Sequence, residues 1–366
     1  MTETEVKRPS VVVLGGGYAG FQTAKALDDV ADVTLVDPSD AFLHNVAAWR
    51  ALVEPTWIDR IFFPLNQLLH NGRFVRDRAV AVEGRQVTLE SGTVLDPDYL
   101  VLATGSSYPF PAKSAEADQQ RAQAALTAAH DALTGAERVL IVGAGPSGLE
   151  LAGEIKAFSP EKTVTVVDVA SDILTGPFDQ ELREELRRQL DKLGVQLLLG
   201  SPLTAFPDAP PASLAPVDVT TGSGDRITAD IWFRAFGVTP ATGYLRGELA
   251  AVRDDRGYVR VDKELRVEGA DGVYALGDIS TADRDTAGAA SRQAEVVAAN
   301  IRAAVTGEGE PTTYEPLPPM IVVPLGPDGG ASQLPDGIAG AEPTSQIKGR
   351  SLFVDRYAGA FDAPAR

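Results

Sequence analysis

One pattern constrains this chain more than any other, because it is written twice. Residues 11–20 (VVVLGGGYAG) run into 21–27 and then 33–37 (VTLVD), while residues 139–148 (VLIVGAGPSG) run into 149–155 and then 164–168 (VTVVD). Each copy reads as a short apolar strand, a glycine turn, a helix with small residues on its inner face, and a second buried strand ending in aspartate. Continuous apolar strands joined through a helix predict βαβ units on a parallel sheet. The likeness extends to alternating segments at 85–92 and 217–224, and each copy closes on an apolar strand and a glycine, at 99–105 and 231–237. The expected fold is α/β, with two similar three-layer domains.

The length of 366 residues fits two domains and a short third piece. The first domain is expected over 1–110 and 241–315, and the second over 111–240, with an alanine-rich helix at 119–133 and a proline-rich loop at 206–216. The helix expected at 180–193 carries Leu182, Leu186 and Leu190 on one face and Gly194 as its stop, a docking pattern. After Pro311 the texture turns rich in proline and glycine, with short strands expected around 321–323 and 351–354. This points to a C-terminal cap over 316–366, near the lower size limit of a self-sufficient core and so expected to pack on the rest.

The glycines carry chemistry. Gly15, Gly17 and Gly20, with Gly16 and Ala19 between them, follow a strand and open a helix, and Asp37 comes about 20 residues after the motif begins. Such a turn lets backbone approach a pyrophosphate closely, the helix N-terminus supplies unpaired N–H groups, and the aspartate accepts from ribose hydroxyls. Gly143, Gly145, Gly148 and Asp168 repeat the arrangement. Two dinucleotides are therefore expected, one resident and one visiting.

Composition says what the electrons cannot do. The chain has no cysteine, which removes disulfide frameworks, thiolate metal sites and dithiol relays, and three histidines make a metal centre improbable. No metal is expected. A net charge of −18 without a basic stripe argues against nucleic acid. The start, Met1 to Val6, lacks the features of a signal peptide, Thr2 excludes myristoylation, and no apolar run is long enough to span a bilayer. A cytoplasmic location is expected, with peripheral membrane contact and oligomeric state left open.

Further segments carry a family resemblance. Ala103, Thr104 and Gly105 close the first copy, Gly237 closes the second, and residues 273–278 (VYALGD) form a strand ending in Gly277 and Asp278, ahead of a helix near Ala287. These are similar to signatures of the two-dinucleotide flavoproteins, which include glutathione-reductase-like enzymes and type II NADH:quinone oxidoreductases. Residues 42–54 (FLHNVAAWRALVE) and 348–354 (KGRSLFV) resemble, more closely, the apoptosis-inducing-factor-like group that contains the ferroptosis suppressor quinone reductase. The resemblance covers essentially the whole chain. It implies two Rossmann-like domains, FAD on the first and NAD(P)H on the second. It also implies that Asp278 binds the FAD ribityl or pyrophosphate, that Arg50 contacts FAD, and that Ala79 lies on the strand whose backbone meets the adenine. His44 and Lys348 would lie near the flavin ring, with Phe353 beside a quinone. Where the family can carry a lysine before the flavin-facing helix, this chain has Asp285.

Glu150 sits on the first turn of the second motif's helix. A carboxylate beside a pyrophosphate is repulsive, so its side chain is expected to turn towards the nicotinamide and flavin edge. Glu154, four residues on, shares its face, and like charges at that spacing are unfavourable, so one of the two should have a cationic or hydrogen-bonded partner. Asp168 is expected to favour NADH over NADPH by repelling a 2′-phosphate. Three functions stay open: a quinone reductase, a reductase of a small electron carrier, which an acidic chain disfavours, and a slow redox-signalling flavoprotein.

Overall fold

The computed structural model describes residues 8–283 and 285–362. Thr2 and the start of the chain, on which the reading of targeting signals rests, lie outside the described residues. The first motif forms β1 (Ser10–Leu14), α1 (Tyr18–Leu27) and β2 (Asp32–Asp37), followed by α2 (Ala48–Val53), β3 (Arg73–Arg76) and β4 (Tyr99–Leu102). A long helix, α3 (Gln119–Gly135), leads into β5 (Arg138–Val142), α4 (Pro146–Phe158), β6 (Thr163–Val167), α5 (Gln180–Lys192), β7 (Val195–Leu198) and β8 (Ile231–Arg234). The chain then returns to the first sheet with β9 (Val273–Ala275) and α6 (Ala287–Thr306).

Both sheets are parallel and share a topology. The first has the order β9-β4-β1-β2-β3 and the second β8-β5-β6-β7, so that β8 flanks β5 as β4 flanks β1. Strands buried on both faces need continuous apolar sequence, and Val11, Val13, Leu35, Leu140, Ile141 and Val166 are all fully buried. The alternating segments form small antiparallel sheets packed on one face of each parallel sheet, through Gln86–Leu89 and Val217–Thr220. α5 docks by Leu182, Leu186 and Leu190, and Gly194 ends it at φ +73°.

The C-terminal segment belongs to both halves. Its meander of β10 (Ile321–Pro324), β11 (Gly330–Leu334) and β12 (Gly337–Ala339) packs on α4 and α5, and Val323, Leu325 and Ala331 share a core with the second sheet. Its last helix, α7 (Val354–Ala360), instead joins the core of the first half through Leu352, Val354, Tyr357, Ala358 and Phe361. Phe361 stacks on Phe42 and Phe63.

The strand expected at 351–354 is not formed. Leu352 and Phe353 have φ of +47° and +61°, a left-handed pair incompatible with an extended strand, and they turn the chain into α7. Tyr357 and Phe361, spaced by one helical turn, bury the helix's apolar face. No described helix is long and apolar enough to cross a membrane.

Candidate functional site

The two glycine turns are near copies. Gly15 and Gly143 sit at φ +103° and +116°, and a Cβ at either would lie 2.2 and 2.7 Å from the carbonyl oxygens of Ala103 and Ala235. The third glycines let each helix close on its own turn, since a Cβ at Gly20 or Gly148 would fall 1.8 or 1.9 Å from the oxygens of Gly15 or Gly143. The middle positions differ in kind: a Cβ at Gly17 or Gly145 meets nothing within 4 Å, and neither helix is capped by a side chain. Each half thus offers an open helix N-terminus with free N–H groups, which fits the pyrophosphate of a dinucleotide.

Each terminal aspartate is held by its own turn. Asp37 accepts from the N–H groups of Gly16 (2.6 Å) and Ser39 (2.7 Å), and Asp168 from those of Ala144 (2.6 Å) and Ala170 (2.8 Å). Burial raises the pKa of Asp37 above the ordinary carboxylate value, against the two N–H donors. Asp168 instead borders a pocket of about 270 Å³ with Val169, Pro202, Leu203, Phe206 and Phe236, and no residue lining it is cationic. Phe206, on the proline-rich loop, stacks on Phe236 and Trp232.

Where the chain crosses between halves, Thr104 donates to the Ala241 carbonyl (2.8 Å), and Gly105 accepts from Ala241 N–H (2.9 Å) at φ +67°. Gly237 takes φ +98° at the matching end of β8. Gly277 sits against Ala19 of α1, where a Cβ would come within 3.3 Å of the Ala19 side chain. Asp278 follows at that helix's N-terminal end, and its carboxylate accepts from Ser106 (2.6 Å) and Lys113 (3.0 Å). Asp285 accepts from the Tyr258 hydroxyl. Ala79 opens the strand Ala79–Glu83, with an irregular pairing between Ala79 and Ala81.

A second pocket is built largely from the C-terminal segment. It measures about 380 Å³ and is lined by Met320, Leu334, Lys348, Phe353 and Tyr357 and by the N-terminal residues of α6. Lys348 donates to Glu150 at 2.7 Å, joining this segment to α4, where Glu150 stands in the second turn rather than in the first as the sequence suggested. Glu154 is paired as well, in a bidentate contact with the Arg50 guanidinium (2.6 and 2.8 Å). Both carboxylates of the α4 face therefore have cations, where the sequence asked for one.

Two candidate residues have partners within the protein. Arg50 is buried with its guanidinium on Glu154 and the Gly349 carbonyl (2.9 Å), between Trp57 and Phe158. His44 is fully buried and does not line the pocket of Lys348 and Phe353. Its Nε2 donates to the Leu352 carbonyl (2.6 Å), and its Nδ1 accepts from the Tyr18 hydroxyl (2.9 Å). Burial lowers the pKa of His44 to about 4, keeping the imidazole neutral. A ring with both nitrogens engaged has no proton to offer an acceptor.

Sequence reasoning missed Lys113 and Ser106, which meet Asp278, and Tyr18. It also missed Trp49, whose indole N–H reaches Ser147 on α4 at 3.1 Å. The tryptophan beside Arg50 was the one available signal; nothing in the linker marks Lys113.

The family model described as pyridine nucleotide-disulphide oxidoreductase matches residues 9–294. Human ferroptosis suppressor protein 1 is 30% identical over 94% of this chain and 93% of its own length. Among solved structures, NDH2 from Plasmodium falciparum in complex with NADH superposes with a TM-score of 0.77 over 97% of this chain and 95% of its own at 12% identity. The sulfide:quinone oxidoreductase of Aquifex aeolicus gives 0.75 over 96% and 91% at 16% identity. At such identities the two structures establish the shared fold alone.

Proposed function

We propose, from the premise that this chain belongs to the pyridine nucleotide-disulphide oxidoreductase family, that it oxidises NADH through a resident FAD and delivers the electrons to a quinone. FAD fits the first cradle and NADH the second, and FAD supplies hydride acceptance and electron release. The remaining work falls to the chain. Asp168 takes the adenosine ribose hydroxyls in a pocket without a cation for a 2′-phosphate, which favours NADH. The N-terminus of α6 and the Lys348 ammonium place positive charge at the acceptor pocket, where negative charge arrives. Phe353 and Met320 supply apolar surface for a flat ring.

The observation that carries this reading is the Glu150–Lys348 pair, because it ties a cationic donor of the C-terminal segment to α4, the helix whose N-terminus opens the nucleotide cradle. A chain without cysteine has no thiol to receive the electrons, so they must pass to an external acceptor. Two solved structures that share its fold are a sulfide:quinone oxidoreductase and an NDH2 holding NADH, chemistry in keeping with this reading. Anaerobic stopped-flow tests it in two halves. NADH should bleach the flavin, a soluble benzoquinone should restore it, and Lys348→Met should slow the second step about tenfold or more while leaving the first within about twofold. Failure of every quinone tested to reoxidise the flavin would overturn the reading.

A further inference from the structure

The turn that carries Lys348 and Phe353 is unusual and closely held. Ser345–Gly349 is a π-helical turn, a form often found at functional sites, and the left-handed pair Leu352 and Phe353 follows at once. Within the C-terminal segment, Ser345 donates to the Pro327 carbonyl (2.7 Å). A Cβ at Gly349 would lie 2.6 Å from the same oxygen, so only glycine seats there. Among the described residues, two hydrogen bonds reach this stretch from residues 44–50 of the first half, and both take a backbone carbonyl. Arg50 donates to Gly349 O, and His44 donates to Leu352 O. Each donor is fixed from behind, Arg50 by Glu154 and His44 by Tyr18.

We infer that Arg50, Glu154 and His44 are positioning residues: they form a two-point clamp on the carbonyls of Gly349 and Leu352 that sets where Lys348 and Phe353 stand in the acceptor pocket. The chemistry is that of backbone capture. A π turn and a left-handed pair leave carbonyls outside any regular ladder; a buried guanidinium satisfies that of Gly349 in the first, and a neutral imidazole N–H that of Leu352 in the second. Arg50 suits this because its planar fork engages Glu154 through two N–H groups while Nη2 also reaches Gly349. Glu150 and Glu154, one helical turn apart on α4, then tether the same turn through a side chain and through its backbone. This inference rests on the acceptor-side role proposed above for Lys348.

The test removes the clamp and leaves the pocket residues in place. Arg50→Met with Glu154→Leu replaces the buried pair by apolar groups, a change cores tolerate. Hydrogen exchange in residues 345–353 should rise about tenfold or more, with FAD content unchanged. Flavin reoxidation by quinone should slow about tenfold, and reduction by NADH should stay within about twofold. In a Lys348→Met background the same pair should add no further slowing, since Arg50 acts through that lysine. His44→Leu should reproduce the effect, and His44→Gln, which keeps an N–H donor, should restore most of it. If the apolar pair does not fold, Glu154→Gln is measured in the same way. Unchanged exchange, or slowing that multiplies with that of Lys348→Met, would overturn the clamp alone. A silent Lys348→Met would overturn the clamp together with the acceptor-side reading.

Discussion

The two halves of this protein carry the same cradle and treat it differently. The first closes over its motif: Leu65, from the segment between β2 and β3, lies where a Cβ at Gly16 would stand (2.6 Å), Asp37 is buried, and α6 runs along α1. The corresponding stretch of the second half, between β6 and β7, is the docking helix α5, and Asp168 borders an open pocket. The glycine motif therefore specifies a dinucleotide, and what is packed around it specifies whether that dinucleotide stays.

The largest expected effect breaks the two cradles one at a time. Gly20→Ala and Gly148→Ala each drive a Cβ into the carbonyl oxygen of the preceding glycine turn, at 1.8 and 1.9 Å. The first variant should lose FAD and melt well below the parent. The second should purify yellow and fail to bleach with NADH. Absorbance at the flavin band and a thermal melt of each variant check this, and equal flavin loss in both would erase the distinction between resident and visitor.

Acid should find the first half before the second. The neutral His44 titrates at about 4 in the fold, below its ordinary 6.5. The unfolded chain therefore binds the extra proton first, and stability falls as pH drops from about 6.5 to about 4. The full loss is on the order of 3 kcal/mol. FAD release should begin in this window ahead of global unfolding, and His44→Gln should flatten it. The acceptor half-reaction should show no titration from His44 between about pH 5 and 8.

The smallest effect concerns the open pocket. Asp168→Asn should narrow the preference for NADH over NADPH about tenfold in the ratio of kcat/KM values, by removing charge repulsion of the 2′-phosphate. An unchanged ratio would place nucleotide selection elsewhere in the pocket.

What could be read from sequence followed from local rules. Gly15, Gly20, Gly143 and Gly148, both terminal aspartates and the parallel strands are consequences of short-range pattern, and the structure has them where the spacing puts them. The repulsion between Glu150 and Glu154 was legible; their partners were not, because Lys348 lies 198 residues beyond Glu150, and Arg50 lies 104 residues before Glu154. His44 shows the same limit. The family resemblance put it near the flavin, and only its burial against a carbonyl 308 residues away reveals the structural hydrogen bond it makes. The missing strand at 351–354 follows from backbone signs at Leu352 and Phe353 that no apolar pattern encodes.

The C-terminal segment has its strands on one half and its helix on the other. A staple of this kind stiffens the motion by which two-lobed proteins gape like a shell, since opening would pull α7 from its aromatic bed or peel β10 from α4. Nucleotide exchange is then expected to use standing openings, such as the mouth beside Phe206 and Asp168. Turnover in such a molecule is a matter of traffic through standing doors.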